Sequence, residues 1–389
     1  MDTKPSIQNI GHPIVYKANL PADAQVALPA APDMVAVRAE IRTLEGMQKE
    51  AIVHYGDTVW RMVSDEGPYL NGTDLAPFPL AFYTAGMAFS FMTELLRHAK
   101  AEEVEIRSIR TIQDNYYTME GSALRGDMIG GAKPVEISVE MDTDAPELLI
   151  SKIVERAAAT SPAQAYMRDP LTNTFALCLN GKQLAVKRVA ASPGGLYDDP
   201  APKFDQISPQ PDGSYAADIV TKLESAEQVF GVEGGAGSSL QSEQKRTLHV
   251  RGITTLREDG MKEARVQLFK PIGSTFCFLS DDAAEDGGLE RAPAPLAYLT
   301  AGVGFCYMTQ LGRYAHIMKQ DLESYRIVQQ NIYKLADMHA TNDPVDTHVY
   351  INFSESDEAA QQLVNMGERT CFLHAAMRAS IPSVIHMSG

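Results

Sequence analysis

Two cysteines, Cys306 and Cys371, carry the side chains best suited to redox or nucleophilic chemistry in this 389-residue chain. A thiol can be oxidised, can attack as a thiolate and can close a disulfide, none of which a hydroxyl does readily. Two further cysteines, Cys178 and Cys277, fall in strand-like runs with no neighbouring ligand, so no zinc site, and no metal, is expected. Four cysteines are too few for a secreted disulfide scaffold, and in a reducing compartment a retained pair is more often catalytic or redox-active. A lone cysteine in an apolar helix is ordinarily a small buried residue. An internal repeat separates Cys306 and Cys371 from that bland reading.

Residues 77–100, PFPLAFYTAGMAFSFMTELLRHAK, align without gaps on residues 293–316, PAPLAYLTAGVGFCYMTQLGRYAH, with 13 of 24 positions identical. Average composition would give about one or two. The same offset of 216 pairs Ser64-Asp65 with Ser280-Asp281, Gly72 with Gly288, and Gln113, Asn115 and Tyr117 with Gln329, Asn331 and Tyr333. Further on the offset falls to 210, pairing Thr160-Ser161 with Thr370-Cys371 and Met167-Arg168 with Met377-Arg378. The six extra residues fall in the glycine-rich stretch 121–134, a loop where an insertion costs least. At the positions of Cys306 and Cys371 the first copy has Ser90 and Ser161, so the two thiols come and go together.

The elements that must position them read alike in both copies. VAVRAEIRTL, KEAIVHY and TVWRMVSD predict an opening antiparallel meander, matched by LHVRGITTL, EARVQLF and STFCFLSD. A helix follows, over Leu80–Ala99 and Leu296–His316, apolar nearly all round in its first half and so expected to be buried. Two strands come next, near Arg107–Met119 and Val135–Met141, then a second helix, Pro146–Ala158 or Glu358–Gly367, that leads to Ser161 or Cys371. TFALCLNG closes the first copy as a strand, and Tyr117 and Tyr333 read as sheet core. The expected organisation is α+β: an amino-terminal extension at 1–30, one module at 31–185, a Gly/Pro/Ser-rich linker at 186–244 with one short helix near Ala216–Val229, and a second module at 245–389.

Composition bounds the function. With 44% hydrophobic and 22% charged residues the chain reads as soluble and globular, and the longest apolar run, Pro77–Met92, is too short to span a bilayer. Residues 1–13 lack the basic start and apolar middle of a secretory signal, so the expected location is cytoplasmic. A net charge of -16 disfavours nucleic acid and acidic membrane surfaces as partners.

The order of hairpin, PxPLxxLTAGxxxC helix and second cysteine 65 residues on (371 minus 306) resembles the OsmC/Ohr family of thiol-dependent hydroperoxide reductases. The S-D-x(6)-G loop before the helix and the LNGK ending of the first module are similar to that family as well. The resemblance covers both modules and implies antiparallel sheets around central buried helices, arranged as an intertwined dimer fused into one chain, an intramolecular pseudo-dimer. It further implies that Cys306 is the peroxidatic cysteine, attacking an organic hydroperoxide, and Cys371 the resolving one, with an external dithiol resetting the disulfide and no cofactor. That family carries a glutamate just after the helix proline, held against an arginine. Here Leu296, and Leu80 in the first copy, stand at the glutamate position, and Arg257 in the LREDG turn is the candidate arginine.

Two other classes stay open on the residues: an enzyme using Cys306 as a nucleophile on a small electrophilic metabolite, hydrolase or lyase in type, and a non-catalytic binder of a small apolar ligand. His374, three residues after Cys371, is placed to polarise a thiol, although a packing role competes with it; His348 and His386 carry less. TAGMAFS and TAGVGFC lack the GxSxG elbow, and EGGAGSS from Glu233 lacks the lysine of a phosphate-binding loop.

Overall fold

A computed structural model describes residues 5–210, 218–226, 244–284, 287–336 and 338–388. The first half opens with a single turn, α1 (Ile7–Ile10), and strand β1 (Val15–Asn19), followed by the meander β2 (Met34–Thr43), β3 (Lys49–Tyr55) and β4 (Thr58–Ser64). Helix α2 (Pro79–Ala101) leads to β5 (Ser108–Gly121), β6 (Ile129–Ala132) and β7 (Glu136–Asp142), then to helices α3 (Glu147–Thr160) and α4 (Pro162–Arg168), and to β8 (Thr174–Leu179) and β9 (Lys182–Leu184). Short strands β10 (Ala190–Ala191), β11 (Ser208–Pro209) and β12 (Val220–Glu224) cross to the second half. There β13 (Gln244–Leu256), β14 (Lys262–Lys270) and β15 (Thr275–Ser280) precede α5 (Pro295–Ile317), β16 (Leu322–Lys334), β17 (Thr341–Asn342) and β18 (Asp346–Phe353). Helices α6 (Asp357–Thr370) and α7 (Phe372–Arg378) and strand β19 (Val384–Ser388) complete the chain. The architecture is α+β, as expected.

The strands form two sheets, and each mixes the halves. In the first, the β2–β3–β4 meander pairs through β2 with β16, register Glu40 with Val328, and β18 pairs in parallel with β8. In the second, the β13–β14–β15 meander pairs through β13 with β5, register Ile253 with Ile112, and β7 pairs in parallel with β19. Each half thus hands its opening meander to the sheet built on the other half's later strands.

Helices α2 and α5 lie buried between these sheets. Both begin with proline, whose missing N–H costs nothing in the first turn. They meet through glycines: a Cβ on Gly86 would lie 2.5 Å from the Leu299 nitrogen, and one on Gly302 would lie 2.6 Å from the Tyr83 nitrogen. Around that crossing Phe82 packs edge-on to Phe278 at 5.4 Å and to Phe305 at 5.2 Å.

Two expectations for the connection need correcting. Within the predicted helix near Ala216–Val229, the described residues 218–226 hold strand β12, paired antiparallel with β15, while 216, 217 and 227–229 lie outside the described residues, as does EGGAGSS. The Val220–Glu224 segment takes its backbone hydrogen bonds along β15, at the end of the second sheet, instead of within a helix. Residues 190–209 are also no free spacer. They pack on the outer face of the first sheet, where the Tyr197 ring stacks on His348 at 4.2 Å, Phe204 is buried and β11 pairs with β1.

Candidate functional site

Cys306 sits mid-way along α5, and Cys371 at the break between α6 and α7, closing one helix and opening the next. That break is fixed locally: the Cys371 N–H bonds back to the Gly367 carbonyl at 3.0 Å, while its backbone turns extended, at φ -69° and ψ 119°. The two sulfurs lie 3.4 Å apart, hydrogen-bonded as free thiols, with Cys306 2% and Cys371 0% exposed. In the other half Ser90 Oγ and Ser161 Oγ lie 3.0 Å apart, also buried.

A cavity of about 20 Å³ opens against Cys306, lined by Glu66, Tyr69, Phe78 and Leu80 from the first half and by Leu248 and Phe372 from the second. That is room for roughly one water molecule. Cys371 is not on its wall, so a small molecule entering there meets Cys306 first.

The site is charged as well as closed. Glu66 accepts from Thr309 Oγ1 at 2.9 Å and from the Tyr69 hydroxyl at 3.0 Å. Burial pushes its carboxyl up, against the pull of Lys49 and those two donors. Lys49 is buried as well, which pushes its ammonium down, opposed by Glu66, Asp65 and Cys306. Arg313, two turns of α5 beyond Cys306, is half-buried and feels Glu66, Tyr69 and Cys306, and the buried Arg246 feels Arg313, Tyr69 and Glu66. Lys49 and Arg313 thus act on both Glu66 and Cys306, and a nearby cation favours the thiolate against the cost of burial. Within the pair, burial and the hydrogen bond to Cys371 push the Cys306 thiol up. Cys371 is likewise opposed by burial, but its hydrogen bond with Cys306 and the nearby His374 bring it well below the usual thiol range.

Of the three residues expected at the site, the fold brings Cys306 and Cys371 together and leaves Arg257 out. Arg257 lies in the β13–β14 turn, 41% exposed, paired with Asp259 at 3.2 Å and Glu263 at 3.4 Å, because a turn with its own acids solvates and satisfies its arginine locally. Leu296 is a buried core residue at the start of α5. Sequence reasoning missed Lys49, Glu66, Arg246 and Arg313. The signal was in the repeat: Lys49, Glu66 and Thr309 recur as Lys262, Asp282 and Thr93, where Thr93 Oγ1 donates to Asp282 at 2.8 Å and Lys262 forms an ion pair with it.

Ser192, His348 and Asp346 also converge, without forming a nucleophile and its base. His348 Nδ1 accepts the Tyr197 N–H at 3.0 Å, so its proton is on Nε2, facing Asp346 at 3.1 Å and Ser192 at 3.2 Å. That nitrogen donates and has no lone pair for Ser192. Among the described residues there is no cluster of His, Cys, Asp and Glu able to hold a metal ion, and no helix long and apolar enough to cross a membrane.

Comparison with known proteins falls on the second half. Residues 286–386 match the family model of the OsmC-like proteins. A crystal structure of an OsmC-like hydroperoxide resistance protein from Jannaschia sp. CCS1 is 24% identical, covering 29% of this chain and 75% of its own, with a TM-score of 0.21. No curated protein matches the chain. The stretch that matches the OsmC-like family model holds both Cys306 and Cys371.

Proposed function

We propose that the chain is a thiol peroxidase that reduces organic hydroperoxides, with Cys306 as the attacking and Cys371 as the resolving cysteine. The observation that carries this reading is the 3.4 Å contact between the two sulfurs, one of which lines a cavity. Cys306 releases its proton and attacks the outer peroxide oxygen. The O–O bond breaks, the alcohol leaves as its alkoxide takes up that proton, and Cys306 becomes a sulfenic acid. Cys371 then attacks the Cys306 sulfur, its own proton goes to the departing hydroxide to make water, and a disulfide closes. An external dithiol, as a reducing cytoplasm supplies, returns both thiols. The balance is one hydroperoxide and two thiols to one alcohol, one water and one disulfide. In this reading residues 31–185 and 245–389 act as a fused pair, and the Ser90/Ser161 half supplies the walls of a single reactive site.

The test is to count free thiols before and after one equivalent of cumene hydroperoxide and to map the product by mass spectrometry. Loss of two thiols as a Cys306–Cys371 disulfide, with turnover collapsing in Cys371→Ser, is the expected result. If both thiols survive the peroxide, the proposal fails.

A further inference from the structure

His374 stands one turn into α7 from Cys371 and is fully buried. Its ring is held between Tyr307 at 5.1 Å and Phe175 at 5.7 Å. Neither ring nitrogen has an oxygen or nitrogen partner. A buried polar group left so is uncommon in a native fold and calls for an explanation. The matching residue of the first half, Gln164, is half satisfied: its side-chain oxygen accepts from Ser383 while its Nε2 has no partner, and its backbone N–H donates to Ser161 Oγ at 3.4 Å. Three replacements therefore coincide, Ser90 with Cys306, Ser161 with Cys371 and Gln164 with His374, and the third gives up an amide whose oxygen is hydrogen-bonded for a ring able to take and give a proton.

The other groups around that ring do not compete for its role. From α5 come the Tyr307 hydroxyl, which bonds to the Val364 carbonyl, and Cys306. From α6 comes Glu368, paired with Arg378, and β8 presents the Phe175 ring alone. The influence of His374 falls on the Cys371 sulfur.

We propose that His374 carries the proton of the disulfide-forming step: it shares one proton with the Cys371 thiol and gives it to the hydroxide that leaves Cys306. The step balances. A sulfur–sulfur bond forms, the S–O bond of the sulfenic acid breaks, and the shared proton turns the departing hydroxide into water. The sulfenic sulfur is the oxidant and Cys371 the reductant. The inference rests on the peroxidase reading above.

The experiment follows both steps after one equivalent of cumene hydroperoxide, trapping sulfenic acid with dimedone and disulfide by rapid acid quench. In His374→Gln, which borrows the residue of the first half, disulfide formation is expected to slow at least tenfold, since a placed acid–base group contributes about 10²- to 10⁴-fold. Sulfenic acid should accumulate on Cys306, and the residual rate should climb with pH toward the thiol range. The unaltered protein supplies a second readout that needs no variant: a bell-shaped pH profile of the disulfide step. Disulfide formation as fast in the variant as in the parent, or a parent profile rising monotonically into the thiol range, would overturn the proposal. If the parent itself forms neither sulfenic acid nor disulfide, it is the peroxidase reading that has failed.

Discussion

Ser90 and Ser161 hold their hydroxyls 3.0 Å apart at the positions that Cys306 and Cys371 occupy in the other half. The scaffold for a reactive pair is thus present twice and equipped once. The Ser90→Cys, Ser161→Cys double variant should therefore form a second disulfide on mild oxidation, consuming two thiols more than the parent. Peptide mapping checks this, and two persistent free thiols at those positions would show that the two scaffolds differ.

Glu66 shares the cavity with Cys306 and disfavours its thiolate, as a nearby negative charge must. Glu66→Gln should raise the alkylation rate of Cys306 a few-fold. It should also lower peroxide turnover, because Lys49 and Arg313 lose the negative charge that offsets theirs beside Cys306. Stopped-flow alkylation and steady-state turnover on one preparation separate the two effects, and a slower alkylation would contradict the charge argument.

The loop carrying Glu66 depends on its neighbour. Asp65 accepts from the N–H groups of Glu66, Thr73 and Leu75 at 2.8, 3.0 and 3.1 Å, and from the Thr73 hydroxyl at 2.6 Å. Asp65→Ala removes the acceptor that ties this loop together and leaves the N–H of the buried Glu66 without it, at about 1–3 kcal/mol. Denaturant titration measures the loss, which should come with lower peroxide turnover as Glu66 shifts. An unchanged midpoint would show that water replaces the carboxylate.

The helix crossing gives a third structural test. Gly302→Ala places a methyl 2.6 Å from the Tyr83 backbone nitrogen, where no flexible side chain can give way. The expected cost is about 1–3 kcal/mol of unfolding free energy, the usual range for overpacking.

Acid should unfold the protein through its buried carboxylates. Burial works against the ionised forms of Asp114, Asp281 and Asp346, but partners outweigh it: Arg251 and His249 at Asp114, Arg291 at Asp281, and His348 and Thr174 at Asp346, so all three titrate below the usual range. Such groups add stability that is complete above their unfolded value, about 4, and lost as pH falls through the lower folded value. Unfolding free energy should hold level from neutral pH to about 5 and drop below about 4, less steeply in Asp114→Asn. A decline beginning near pH 6 would place the cause in the histidines instead.

Much of this was legible in the chain. The proline-led apolar helices and the paired substitutions at 90/306 and 161/371 are local patterns, and local patterns survive folding. The charges were harder. Sequence reading passes over Glu66 and takes Arg257 as the candidate, and what buries the first is the approach of α5, Thr309 included, to the first half's loop. The exchange of meanders was implied only by the resemblance, because alternation in β2 fixes which face is buried but not that the strand beside it is β16.

That exchange sets a clock. The β2 strand pairs Glu40 with Val328, so its neighbour emerges 288 residues later in synthesis. At 5–20 residues per second the first half waits about 15–60 s with an open sheet edge. Over that interval an unpaired apolar strand is open to the wrong partner. The nascent chain must be shielded, or must fold its first half only loosely, until its own carboxy-terminal strands arrive.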